Sequence, residues 1–292
     1  WCPFGAGPDD AGDQREDDAA SVLFDSPPLG ERIEILGAPV VELDLACDKP
    51  RANLIVRLCD VDPDGASLRV SYGVLNLAHR DSHERPAPLT PGQRYKVRIT
   101  LNDTAFALPP GHRVRVALST AYWPMIWPAP EAAAITLFAG TSALVLPVRE
   151  PRAEDDALPP MPPPETAPPA RKTVLREGGS LREAGRDADT GERFARAVDG
   201  PSLVRIDAIG TELGSAGRME FRIRDDDPLS ACAEIARTQT VRRGEVFTRT
   251  EFRVVLRATR EAFVIEARLE AYDGEEQVCC RDWGCEIERD LM

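Results

Sequence analysis

Short runs in which apolar and polar side chains alternate recur through the first half of the chain, and a period of two belongs to strands with one face on a core. The clearest follows the turn Pro109-Pro110-Gly111. There Val114, Val116 and Leu118 point one way, and Arg113, Arg115 and Ala117 the other. Similar runs occupy 33–36, 40–46, 53–61, 68–77, 95–101, 112–120, 134–138 and 143–148, separated by turns such as Asp62-Pro63-Asp64-Gly65 and Thr90-Pro91-Gly92. Strands of this length and spacing predict a jelly-roll or similar β-sandwich.

The pattern breaks at 149–169. Acidic residues give way to Pro159, Pro160, Pro162, Pro163, Pro164, Pro168 and Pro169, which favour extended polyproline geometry and exclude helix, so 150–171 reads as a linker. Beyond it the alternating runs lengthen, at 218–224, 233–242, 246–258, 262–272 and 277–286. Short loops at Arg243-Gly244, Arg260-Glu261 and Asp273-Gly274 join them. Consecutive hairpins predict a second antiparallel domain over 172–292. Phe252, Val254 and Leu256 are expected on a packed face, and Glu251, Arg253, Val255 and Arg257 mostly on a wet one. The segment 178–192 fits either an edge hairpin or a loop. The fold class is therefore all-β, with residues 20–149 as the sandwich and 1–19 as a remnant or linker from an upstream domain, because the chain opens on Trp1-Cys2-Pro3-Phe4 without a signal pattern.

Composition narrows the partners. The balance of 36 basic against 49 acidic residues, a net charge of -13, argues against nucleic acid and anionic membranes, and no apolar run is long enough to span a bilayer. Seven cysteines, an odd number scattered over a chain of 292 residues, do not describe a disulfide-stapled domain, and reduced thiols in the cytoplasm are expected. One local excess stands out. Tyr122, Trp123, Met125, Ile126 and Trp127 crowd into a proline-punctuated segment just after the 112–120 strand, and so many apolar rings need a covering surface.

Catalytic chemistry is hard to find. Asp60-Val61-Asp62-Pro63-Asp64-Gly65 resembles the start of an EF-hand loop, but Ser71 stands where its last carboxylate belongs and the flanks are strand-patterned, so a hairpin turn is expected. His79 and His83 have zinc-ligand spacing in a polar loop and are expected to be solvated. His112 at a strand start is expected to bond its turn. Cys279, Cys280 and Cys285 lack a second Cys pair and are expected to pack, so no metal and no cofactor are expected. Neither Gly140-Thr141-Ser142-Ala143-Leu144 nor Gly178-Gly179-Ser180-Leu181-Arg182 completes a nucleophile elbow, and no catalytic residue is assigned.

Several stretches nevertheless carry a family resemblance. SVLFDSPPL at 21–29, EILGAPVVEL at 34–43, VRLCDVDPDG at 56–65, LTPG at 89–92 and the run 108–127 occur in the order found in the C-terminal β-sandwich of the CocE/NonD family, the serine hydrolases of cocaine esterase and X-Pro dipeptidyl-peptidase type. The resemblance covers about 20–149 and is weaker over 171–292. It implies a sandwich similar to galactose-binding domains that supports an upstream α/β-hydrolase domain and walls its substrate pocket. The Ser, Asp and His of such an enzyme have no counterpart here, so whether this segment is itself an enzyme stays open.

On that reading Tyr122, Trp123 and Trp127 are the candidates for domain docking or pocket lining, with closure of the sandwich's own core as the competing role. The rival is an independent carbohydrate- or protein-binding module, which needs rings aligned on a solvent-facing surface. Cut off from its hydrolase partner, the chain is expected to leave part of the cluster exposed or to pair with a copy of itself as a homo-oligomer.

Overall fold

The computed structural model describes residues 12–292, so the apolar opening Trp1-Cys2-Pro3-Phe4 lies outside the described residues. Two compact units emerge, one running to Pro160 with Leu291–Met292, the other Met161–Asp290.

The first unit contains β1 (Val22–Asp25), β2 (Ile33–Gly37), β3 (Val40–Cys47), β4 (Asn53–Val61), β5 (Ser67–Asn76), β6 (Arg94–Thr100), β7 (Thr104–Leu108), β8 (Arg113–Ser119), β9 (Ile135–Leu137) and β10 (Ala143–Val145). One sheet runs β1-β8-β4-β5, and the facing one runs β10-β3-β6 with β9 also on β3. A β2-β7 pair completes the sandwich. Every pairing is antiparallel, so side chains alternate inward from both sheets. Leu43 and Leu45 from β3, Leu54, Val56 and Leu58 from β4, Val97 and Ile99 from β6, and Val114, Val116 and Leu118 from β8 form the core. The turn at Asp62 is built as its sequence suggests. Asp62 accepts a hydrogen bond from the Ala66 N–H at 2.8 Å, and Gly65 takes a positive φ of 88° that disfavours a side chain.

Two strands escape the alternation test. β1 is exposed along its whole length and exists by pairing with β8, while β7 has only five residues and two alanines to show a period. The outer face of the β4-β8 sheet is also less polar than expected. Arg57 and Ala117, paired across the strands, are each 1% exposed. A helical turn, α1 (Arg15–Asp18), covers them, and Asp18 forms an ion pair with Arg57 at 2.9 Å and with Arg115 at 3.0 Å.

The second unit is one antiparallel sheet of β11 (Lys172–Arg176), β12 (Ser180–Arg186), β13 (Arg193–Ile206), β14 (Thr211–Arg224), β15 (Asp227–Arg243), β16 (Val246–Ala258), β17 (Ala262–Asp273) and β18 (Glu276–Glu288). Its order is β11-β13-β14-β15-β16-β17-β18, with β12 also on β13. The ambiguous 178–192 segment is the edge hairpin into β13. The turn-like Asp199-Gly200-Pro201-Ser202 hides inside β13 as a register shift, where Gly200 donates to the Gly179 carbonyl at 2.7 Å.

The expected face assignment needs correction. Phe252, placed on the packed side, is 38% exposed, whereas Val255, placed mostly on the wet side, is 2% exposed. The physical reason is the single layer: among the described residues no second sheet of this unit covers either face, so alternation along β16 does not by itself set which face is buried. Val255 sits directly between Glu234 and Glu266 on the neighbouring strands. Charges on this face are neutralised within it. Burial pushes the Glu220 carboxyl up, yet hydrogen bonds from Arg218 and Arg222 outweigh it and hold the group below its usual range. Arg253 reaches Glu234 at 2.9 Å and Arg268 reaches Glu270 at 2.7 Å. No helix among the described residues is long and apolar enough to cross a membrane.

Candidate functional site

The aromatic segment leaves β8 at Ser119 and folds into a turn in which the Ile126 N–H donates to the Tyr122 carbonyl at 2.8 Å. The Trp123-Pro124 peptide is cis. Trp123 and Trp127 meet edge to face, with ring centroids 5.1 Å apart and planes at 79°, a favoured quadrupolar arrangement. The Trp127 carbonyl accepts from the Asn53 side-chain amide at 3.1 Å, which ties the loop to the start of β4.

Tyr122 turns elsewhere. Its hydroxyl accepts from the Arg69 guanidinium of β5 at 2.5 Å, and burial pushes its pKa up, with the nearby Arg69 charge opposing. The sequence-selected rings thus separate into a tryptophan pair and a tyrosine anchored on β5. All three are half-buried, Met125 at the apex is 37% exposed, and the core side chains of the sandwich assemble without them. Two rings at 79° to each other are not aligned on one solvent-facing surface, the arrangement expected of a binding module.

The other sequence motifs take structural positions. His112 Nδ1 lies 2.9 and 3.0 Å from the two carboxylate oxygens of Asp60, joining the start of β8 to β4. His79 and His83 pack their rings at 5.4 Å, so this pair is in mutual contact beyond the simple solvation expected of it. Among the described residues no group of three or more His, Cys, Asp or Glu is placed to hold a metal ion. The thiols of β18 depart from expectation: Cys280 and Cys285 are exposed, since β18 is an edge strand of a single layer.

Cys47 and Cys59 are buried in the sandwich, and burial pushes the Cys59 thiol up to about 11. Because its folded value lies above the ordinary 9.0, the neutral thiol stabilises the fold fully below pH 9, and that contribution fades as pH rises through 11. In a Cys2→Ser background, a disulfide reagent at pH 8 should modify Cys280 and Cys285 quickly, and Cys47 and Cys59 only after urea unfolds the sandwich. Mass spectrometry of the modified peptides reads the order, and early labelling of Cys59 contradicts the sealed core.

Sequence reasoning missed a further feature. Val22 and Phe24 of β1 are 53% and 41% exposed, and Leu144 of β10 is half-buried, so apolar side chains line the sandwich edge where the two sheets part. No periodic signal marks them, because each strand is too short to alternate.

Comparison with known proteins places these features in context. The model of the X-Pro dipeptidyl-peptidase C-terminal non-catalytic domain matches residues 3–179, more than half of the chain. A protein of Mycobacterium bovis with a provisional serine-esterase name is 29% identical, over 37% of this chain and 20% of its own length. The cocaine esterase of a Rhodococcus species is 27% identical, over 33% of this chain and 17% of its own. Among solved structures, an α-amino acid ester hydrolase aligns at a TM-score of 0.45 and 27% identity, over 48% of this chain and 27% of that one. The match thus spans about a fifth of the length of the two sequence relatives.

Proposed function

The chain belongs to the family of X-Pro dipeptidyl-peptidase C-terminal non-catalytic domains, and from that premise we propose that it is the supporting β region of a longer CocE/NonD-type serine hydrolase. In this reading the nucleophile, acid and base lie in an α/β-hydrolase domain outside this chain, which cleaves ester or amide bonds, X-Pro dipeptide bonds among them, through an acyl-enzyme. The sandwich over 20–149 supports that domain, 150–171 is the linker, and 172–292 is an added β domain. The relatives named as esterases and the match to the X-Pro dipeptidyl-peptidase domain family support this reading.

Tyr122, Trp123 and Trp127 form the docking surface or part of the pocket wall. The observation that carries this assignment is the half-buried tryptophan pair held outside the sandwich core by its own turn. Separated from the catalytic domain, the chain leaves part of this surface exposed or pairs with a copy of itself through it. A cytoplasmic setting is part of the proposal, supported by the free thiols of Cys47, Cys59, Cys232, Cys279, Cys280 and Cys285.

Two measurements test it. A fluorophosphonate probe should leave this chain unlabelled while labelling the longer protein, and labelling here would place a nucleophile in the β region. In the longer protein, Trp123→Ala with Trp127→Ala should lower kcat/KM by roughly 5–150-fold, the equivalent of about 1–3 kcal/mol. Unchanged kinetics, with unchanged protection of 119–128 from hydrogen exchange, would remove the docking role.

A further inference from the structure

The sandwich gapes at one edge, and the gap is a pocket of about 150 Å³. On one wall, Phe24 of β1 lies beside Val116 of β8, and Leu118 is also on that strand. On the other, Leu144 of β10 lies beside Val41 of β3, with Leu43 further along. These six side chains contribute no polar atom. The hydroxyl at the rim is already engaged, since Ser142 Oγ donates to the Phe138 carbonyl at 3.1 Å and accepts from the Asp44 N–H at 3.2 Å.

Water gains little in such a space. A bound water ordinarily makes about three hydrogen bonds to buried polar groups, and the six side chains of these walls offer none. Apolar side chains that face a gap forfeit dispersion contacts, so a hydrocarbon group of matching size recovers them. Volume then sets the ligand. A space on the order of 150 Å³ buries one benzene-sized ring or a short alkyl chain, and leaves the rest of a larger ligand in solvent. Phe24, 41% exposed, stands at the mouth, where a ligand would carry any polar end into solvent.

We propose that this pocket between β1 and β10 binds a small uncharged hydrocarbon group, a single aromatic ring or a short alkyl chain. The occupant is a small molecule, recognised by volume and apolarity alone. Discrimination follows from that chemistry: fused rings are too large to be buried whole, and a charged ring of the same size loses its hydration without gaining a partner.

Methyl NMR of the 292-residue chain, titrated with toluene, tests this directly. The expected result is saturable shifts of the methyl groups of Val41, Leu43, Val116, Leu118 and Leu144, with those of Val255 and Leu269 in the second unit unmoved. Toluene at a hundredfold excess over its Kd should also raise the Tm of the sandwich by several degrees, and phenyltrimethylammonium should not. Leu144→Ala, which widens the pocket, should move the preference from toluene towards indole. Val116→Phe should fill it and abolish the response. Toluene shifts that are absent, or equal in both units, overturn the proposal whether or not either variant folds.

Discussion

Replacing Asp18 with Ala should destabilise the first unit by about 3–5 kcal/mol, the usual effect of removing one partner from a buried ion pair. Arg57 is 1% exposed in the middle of β4. Its guanidinium is held by Asp18 at 2.9 Å, by Gln14 Oε1 at 3.0 Å and by Ser21 Oγ at 3.0 Å, all from the segment around α1. Asp18 is also the partner of Arg115, which reaches on to Asp25. Loss of the carboxylate leaves one buried cation without a counter-charge and releases the cover over the outer face of the sheet. Urea unfolding followed by tryptophan fluorescence gives the magnitude. The comparison is Glu34→Ala, which removes an exposed pair with Arg32 and should cost less than about 1 kcal/mol. Equal effects of the two substitutions would show that Arg57 is hydrated. Replacing both partners, with Asp18→Leu and Arg57→Met, should recover much of the loss, because the desolvation cost then disappears with the charges.

A truncation in the sandwich core should be nearly as damaging, and the same class of change in the second unit should not be. Leu45 on β3 is 0% exposed within a core fed by both sheets, so Leu45→Ala should cost about 2–5 kcal/mol in lost transfer energy and unfilled volume. Phe252→Ala removes a larger side chain, yet that ring is 38% exposed on a single-layer sheet, and the expected cost is about 1 kcal/mol. Thermal unfolding of each variant, followed by hydrogen exchange in each unit, separates the two. A Phe252→Ala effect as large as that of Leu45→Ala would mean that its face is covered in solution.

Much of this architecture is written locally. β4 and β16 lie where alternation places them, and the turns at Gly65, Gly111, Gly244 and Gly274 all take the positive φ that their glycines permit. The aromatic segment, too, was visible as a local excess of rings. Its geometry was not, because the edge-to-face angle of Trp123 and Trp127 and the anchoring of Tyr122 on Arg69 depend on strands that are distant in sequence.

The chain by itself determines that it forms strands and where most of them turn, since period-two patterning and turn residues act over a few neighbours. Only the tertiary structure decides that Arg57 is buried and paired, that Phe252 stays partly wet while Val255 is sealed, and that two short edge strands leave an apolar pocket. Those outcomes depend on which surfaces meet across tens of residues, and alternation along a strand gives its two faces without saying what, if anything, will cover them.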